Sequence, residues 1–262
     1  MKSIVITGST RGIGYGLADS FLTRGCQVTV NGRSSSSVEK ALSQLTAKHG
    51  SERVAGQAGD VTQVGDHQAV WETAVSHFGK VDIWINNAGV GHPMLNVWEM
   101  SQEMIDRVVD IDLKGVIFGS QVAIQNMLKQ GHGHVYNMEG FGSDGRTRAG
   151  LSIYGSTKSA VRFLSKSLTK EVEDTPVKAS TLSPGIVITD FITEQYEDDP
   201  KGFEESKHIF NALGDKVETV TPWLADNVLA NEKSGAHFAW LTPRKLIWRL
   251  MMMRFNKRDL FS

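Results

Sequence analysis

A single cysteine, Cys26, occurs in 262 residues. A lone thiol excludes an intrachain disulfide framework; it fits a reducing compartment and is most simply a small buried side chain. Charge of one sign is missing as well: 28 Lys+Arg stand against 29 Asp+Glu, a formal net charge of -1. With no basic excess and no interleaved basic-aromatic patch, nucleic acid is not expected as a partner. Nor does any apolar run reach the roughly 18 residues that a membrane-spanning helix requires. The nearest candidate, LTPRKLIWRLMMMRFNKRDLF at 241–261, is broken by Pro243, Arg244, Lys245, Arg249 and Arg254. It reads as an amphipathic basic surface, which leaves peripheral membrane contact open without a transmembrane span. The opening KSIVITG runs directly into an apolar strand, with no charged region followed by a long apolar one, so no signal peptide is expected. The expected location is cytoplasmic, or plastid where a transit peptide has been removed.

What the chain does contain is rhythm. Short β-rich apolar runs lie at 3–7, 27–31, 53–58, 81–85, 133–138, 177–183 and 236–241, and helix-patterned windows at 12–24, 36–49, 63–78, 102–130 and 152–173 fall between them. Such alternation predicts a single α/β domain over 1–262, built on a parallel sheet. The acidic segment 190–216, with Pro200 and Gly202, interrupts the rhythm. It is expected to form a mobile insertion on the substrate side, with the tail 242–262 beside it.

TGSTRGIG, Thr7 to Gly14, follows the first strand and opens the first helix. In that context Gly8, Ser9, Thr10, Arg11, Gly12, Ile13 and Gly14 form a turn that a dinucleotide diphosphate can approach closely, facing the free N–H groups of a helix start. The second strand indicates which dinucleotide. A strand for NAD normally ends on an acid that binds the ribose 2′-hydroxyl. Here it ends VNGRSSSS, with Gly32 in that place and Arg33 and Ser34 after it. Arg33 and Arg11 as cations, with Ser34 as a donor, suit a 2′-phosphate, so the expected cofactor is NADP(H). Solvated surface arginines are the plainer alternative.

These residues resemble the short-chain dehydrogenases/reductases. TGSTRGIG matches that family's glycine motif, GDV at 59–61 its adenine-contacting acid, NNAG at 86–89 its fourth-strand signature, and YGSTK at 154–158 its Tyr-x-x-x-Lys motif. SPG at 183–185, followed by Val187 and Thr189, is similar to the family's nicotinamide-amide segment. The resemblance implies a Rossmann-type doubly wound parallel sheet flanked by helices. It implies that Asp60 and Val61 hold the adenine, that Asn87, Ala88 and Gly89 line the path of the ribose, and that Pro184, Gly185, Val187 and Thr189 meet the nicotinamide. It also implies a homodimer or homotetramer. Over the C-terminal half, GHVYNMEGFGSDG, IYGSTK and NEKSGAHFAWLTPRK are similar to the chlorophyll b reductase branch.

Tyr154 and Lys158 stand at i and i+4, on one face of a helix start. An ammonium beside a phenol favours the phenolate, so Lys158 is expected to lower the Tyr154 pKa toward the working pH. Two positions depart from the family pattern. The serine usual 13 residues before the tyrosine is Phe141, and the neighbouring position is Gly140. Ser143 is the nearest replacement, reachable if GFGSDG bends through its glycines, although it is also a natural turn residue. Ser152 is the weaker substitute. On the long helix, Asp112 stands in VVDIDLKG where the family has asparagine, which predicts a modified proton relay with Asp112 as its catalytic member. His132 and His134 sit in an extended HGH with no third ligand, so no metal is expected. Met251–Met253 with Trp240 and Trp248 read as core or interface packing, or as a wall against a pigment.

The expected activity is NADPH-dependent reduction of a bulky, apolar carbonyl substrate. By the closer resemblance this is the formyl group of chlorophyll b or a related tetrapyrrole. Reduction of another ketone or aldehyde, and a non-catalytic NADP-binding regulator, are the alternatives.

Overall fold

In the computed structural model, which describes residues 1–197, 199–253 and 258–261, the first apolar run forms β1 (Ser3–Ile6), buried along its whole length. Burial of both faces is the condition of a central strand in a parallel sheet. Ile4 and Ile6 enter one core, while Val5 enters the other. Around β1 the strands β2 (Gln27–Gly32), β3 (Val54–Ala58), β4 (Ile83–Asn86), β5 (Gly133–Met138), β6 (Val177–Ser183) and β7 (His237–Ala239) pair in the order β3-β2-β1-β4-β5-β6-β7. Every pairing is parallel. The order reverses direction at β1 and β4, which opens a crevice at the carboxyl ends of the strands, where doubly wound folds bind ligands.

Helices cover both faces. α1 (Gly12–Thr23), α2 (Ser35–His49) and α9 (Val217–Ala230) supply Leu17, Phe21, Leu45, Val220 and Leu224 to one core. α3 (Val64–Phe78), α5 (Gly115–Gln130) and α6 (Ser152–Glu171) supply Val70, Trp71, Ala123, Met127 and Leu168 to the other. The fold is therefore the α/β doubly wound Rossmann type that the sequence implies.

Two windows fold differently from their periodicity. The expected helix 102–130 is divided: α4 (Gln102–Val109) passes through a π-helical turn, Asp110–Lys114, before α5 begins. A wider turn of this kind re-aims side chains and is frequent at functional sites. Here it buries Asp112 completely, and the carboxylate accepts from Val90 N–H at 2.7 Å. The segment 190–216 is helical rather than irregular, with α7 (Asp190–Thr193), a 3-10 turn at Glu194–Tyr196 and α8 (Pro200–Leu213). Asp199 caps α8 by accepting from Gly202 N–H at 2.9 Å. Tyr196, Phe203 and Phe210 pack with Phe261 of the tail, with ring centroids 5.3–6.3 Å apart.

The tail folds back as α10 (Pro243–Met252), capped by Thr242. Asp215, almost fully buried, ties it down by accepting from Arg249, Arg258 and the Trp240 indole at 2.6–3.0 Å. No helix among the described residues is long and apolar enough to cross a membrane.

Candidate active site

The carboxyl ends of the strands border a cleft of about 1440 Å³. One end is the glycine turn. Gly8 has φ +60, and a Cβ there would lie 2.7 Å from Ala88 Cα; at Gly14 one would lie 2.4 Å from Gly8 O. These glycines are therefore required by close backbone approach. The α1 start is left open: no side chain caps it and no acid stands in its first turn. An uncompensated helix start beside a turn whose glycines allow close backbone approach fits a dinucleotide diphosphate.

Of the sequence-predicted cofactor residues, Gly8, Thr10, Arg11, Gly12, Ile13, Gly14, Arg33, Ser34, Asp60, Val61, Asn87, Ala88, Gly89, Pro184, Gly185, Val187 and Thr189 all border this cleft. Ser9 does not. Its hydroxyl donates to Ile6 O at 2.6 Å and accepts from Asn31 N–H at 3.0 Å, so it braces the turn from behind. Thr7 and Asn87 lock the turn to the end of β4, the Asn87 amide donating to Thr7 O and Gly8 O at 2.9 and 3.0 Å. Asn31, which the motif reading passed over, accepts from Gly8 N–H and donates to Gly59 O. A buried amide at the end of β2 was the signal for it. Asp60 accepts from Thr62 N–H at 2.9 Å.

The two expected cations part company. Arg11 is committed to Glu194 at 2.5 Å, with Asp190 at 3.5 Å, and so joins the glycine turn to the inserted helices. Arg33 is exposed, and no carboxylate pairs with it among the described residues. Ser34 caps α2, accepting from Ser37 N–H at 3.3 Å.

At the other end, α6 carries Tyr154 and Lys158 into the cleft, and Phe191 of α7 lies over the phenol with centroids 5.6 Å apart. Lys158 Nζ is 5.5 Å from the phenol centroid and 3.3 Å from Asp112 Oδ2. Asp112 is thus a neighbour of Lys158 beneath the cleft, not part of its lining. Burial raises the Asp112 carboxyl against the pull of Lys158. The Tyr154 expectation requires correction. Burial pushes the phenol up to about 12; Lys158 pulls it down, but Asp112 adds to the rise.

The serine positions also resolve. A Cβ at Gly140 would lie 2.3 Å from the Tyr154 hydroxyl, so the phenol occupies the space that a side chain would need. Ser143 borders the cleft, 9% exposed, and its N–H donates to Gly140 O at 3.2 Å, closing a turn that brings residue 143 back beside 140. The loop can lie this close because Gly142, φ +94, meets α6 at Gly155, where a Cβ would come within 2.5 Å of the Gly155 Cα. Ser159 Oγ donates to Gly142 O at 2.6 Å. Ser152 is exposed at the helix start and does not border the cleft.

Sequence reading missed two further groups. His92 is buried; its Nδ1 donates to Pro93 O at 2.7 Å and its Nε2 accepts from Tyr154 N–H at 3.4 Å. Glu139, also buried, faces Arg162 at 3.5 Å and His237 at 3.6 Å on the cleft wall. An acid directly after the apolar β5 was the available signal. The methionine-tryptophan group divides between packing and surface. Leu241, Thr242, Pro243 and Leu246 line the cleft, while Trp248 and Met251 are exposed and Trp240 packs on Trp223. His132 reaches Asp82 and His134 bonds Ser180, and among the described residues no group of three potential metal ligands converges.

Comparison with known proteins agrees with this geometry. Residues 2–200 match the model of the short chain dehydrogenase family. A probable chlorophyll(ide) b reductase of the chloroplast in Arabidopsis thaliana is 33% identical over 94% of this chain, and the chain spans 52% of that protein, about half its length. A second chloroplastic chlorophyll(ide) b reductase of the same plant is 36% identical over 89% of this chain and 67% of its own. Among solved structures, the 3-ketoacyl-(acyl-carrier-protein) reductase of Brucella melitensis, complexed with NADH, superposes with a TM-score of 0.79. It is 26% identical, with 91% of this chain and 96% of that one covered.

Proposed function

The chain belongs to the short-chain dehydrogenase family, and on that premise we propose an NADPH-dependent reductase that converts the formyl group of chlorophyll b or a related tetrapyrrole to hydroxymethyl. Family membership makes it an oxidoreductase of the CH–OH/C=O couple that uses a nicotinamide cofactor. The observation that carries the proposal is the placement of Tyr154 and Lys158 at one end of a cleft whose other end is an open glycine turn.

When bound, the nicotinamide supplies the hydride. The residues of the chain do the rest. Tyr154 donates a proton to the carbonyl oxygen, and Lys158 holds the phenol in place and favours its ionised form once the proton has left. Ser143 donates a hydrogen bond to the same oxygen as charge develops there. Phe191, Tyr196 and Phe210 border the cleft from the inserted helices and exclude water from the reacting centre. Arg33, with no carboxylate paired to it among the described residues, binds the 2′-phosphate that would distinguish NADPH from NADH. The apolar borders Leu241, Pro243 and Leu246, with the large cleft volume, suit a wide, flat substrate.

The test is direct. Purified protein with NADPH is offered chlorophyllide b, simple aldehydes and a β-ketoacyl thioester, and product is followed by chromatography. The expected result is a hydroxymethyl pigment formed with a kcat/KM at least tenfold above that of any simple aldehyde. Turnover of the thioester or aldehydes without the pigment would replace the substrate, and tight NADPH binding without any turnover would leave a regulatory protein.

A further inference from the structure

Asp112 stands where the family pattern has a neutral amide, and its carboxylate is completely buried. Oδ1 accepts from Val90 N–H at 2.7 Å, while Oδ2 faces Lys158 Nζ across 3.3 Å as the acid of a buried ion pair. Gly89 closes the third side: a Cβ there would lie 3.4 Å from Lys158 Nζ and 3.5 Å from both carboxylate oxygens. The titratable groups facing Asp112 are Lys158 and Tyr154 from α6 and His92 from the loop after β4. An amide in this place would leave the whole charge of Lys158 acting on the Tyr154 phenol. A carboxylate at this distance cancels much of it, in a buried site where water screens little.

We infer that Asp112 is a positioning residue that acts through Lys158 to keep Tyr154 in its protonated, donating form, extending the pH range of reduction upward. The neighbouring groups are shifted consistently. Burial raises the phenol, Lys158 opposes, and Asp112 reinforces the rise. Burial alone would lower Lys158, yet the charge of Asp112 holds it above the usual lysine value. The sign follows from the chemistry. Reduction consumes a proton from the phenol, so activity is present below the Tyr154 pKa and is lost as pH rises through it. Raising that pKa moves the loss to higher pH, and removing the carboxylate moves it lower. The inference rests on Tyr154 being the proton donor and on no particular substrate.

The experiment is an absorbance titration of tyrosinate in cofactor-free protein. The chain has four tyrosines, and subtracting the trace of a matched Tyr154→Phe protein isolates Tyr154. In Asp112→Asn the midpoint should fall by about one pH unit or more, and the alkaline limb of reductive kcat/KM should fall with it. In Asp112→Glu, which keeps the charge, the midpoint should stay closer to that of the unmodified protein than in Asp112→Asn. A Tyr154 midpoint that is unmoved or raised in folded Asp112→Asn overturns the inference, as does an equal fall in Asp112→Glu. Should Asp112→Asn not fold, Asp112→Ser removes the same charge and is read identically. A midpoint shift in a protein that does not reduce the pigment would reject the substrate and leave this inference standing.

Discussion

Gly140 leaves the space that the Tyr154 hydroxyl fills, and Ser143, turned back beside it, borders the cleft and is the proposed donor to the carbonyl oxygen. Ser143→Ala should lower kcat about 10²-fold with the thermal midpoint unchanged, as expected for one lost donor to a developing oxyanion. Gly140→Ser should not restore that loss, because any Cβ at 140 collides with the Tyr154 hydroxyl; kcat of the single and double variants decides it. Arg33→Ala should weaken NADPH by roughly tenfold or more while leaving NADH nearly unchanged, measured by fluorescence titration, since one charge-assisted contact is removed. At this scale the motifs made Tyr154, Lys158 and the glycine turn legible, because their spacing on a helix start is itself the geometry. The shift of Tyr154 was not. Spacing shows that Lys158 is near but not that Asp112 lies 3.3 Å behind it, nor that burial outweighs the ammonium. The pairing of Arg11 was not legible for a similar reason: its partner Glu194 is 183 residues away in sequence.

Among the elements, α10 depends on Asp215. Arg249 Nη1 lies 2.7 Å from this carboxylate, and the Arg249 side chain is only 10% exposed. Asp215→Ala would leave that guanidinium buried without its charge partner, at a cost of about 3 kcal/mol. A calorimetric melt should show the loss, together with early proteolysis in the tail. The pH sign is that of a depressed acid. Its hydrogen bonds hold Asp215 below the usual carboxylate range despite burial, so the tie is complete at neutral pH. It is lost only as pH falls below the ordinary aspartate range and through the depressed folded pKa. The strands were legible because parallel central strands are continuous apolar runs, and β1 to β6 lie within a residue or two of their expected positions. The π turn was not, since one extra residue in a turn leaves helical periodicity almost intact. The fold of 190–216 was hidden because its aromatic cluster is completed by Phe261.

Across the whole molecule, strand-helix alternation made the parallel sheet legible, and the family resemblance implied its doubly wound form, while the full strand order came from the structure. The size of the cleft did not, because it is bordered from Gly8 near one end of the chain to Leu246 near the other. That span has a consequence. An occupant of the cleft touches segments that separate widely when the chain unfolds, so binding and folding are one equilibrium. A ligand at 100 times its dissociation constant adds about 2.7 kcal/mol to the folded state. Where proteases remove unfolded copies, the steady-state amount of this protein would therefore follow the supply of what it binds.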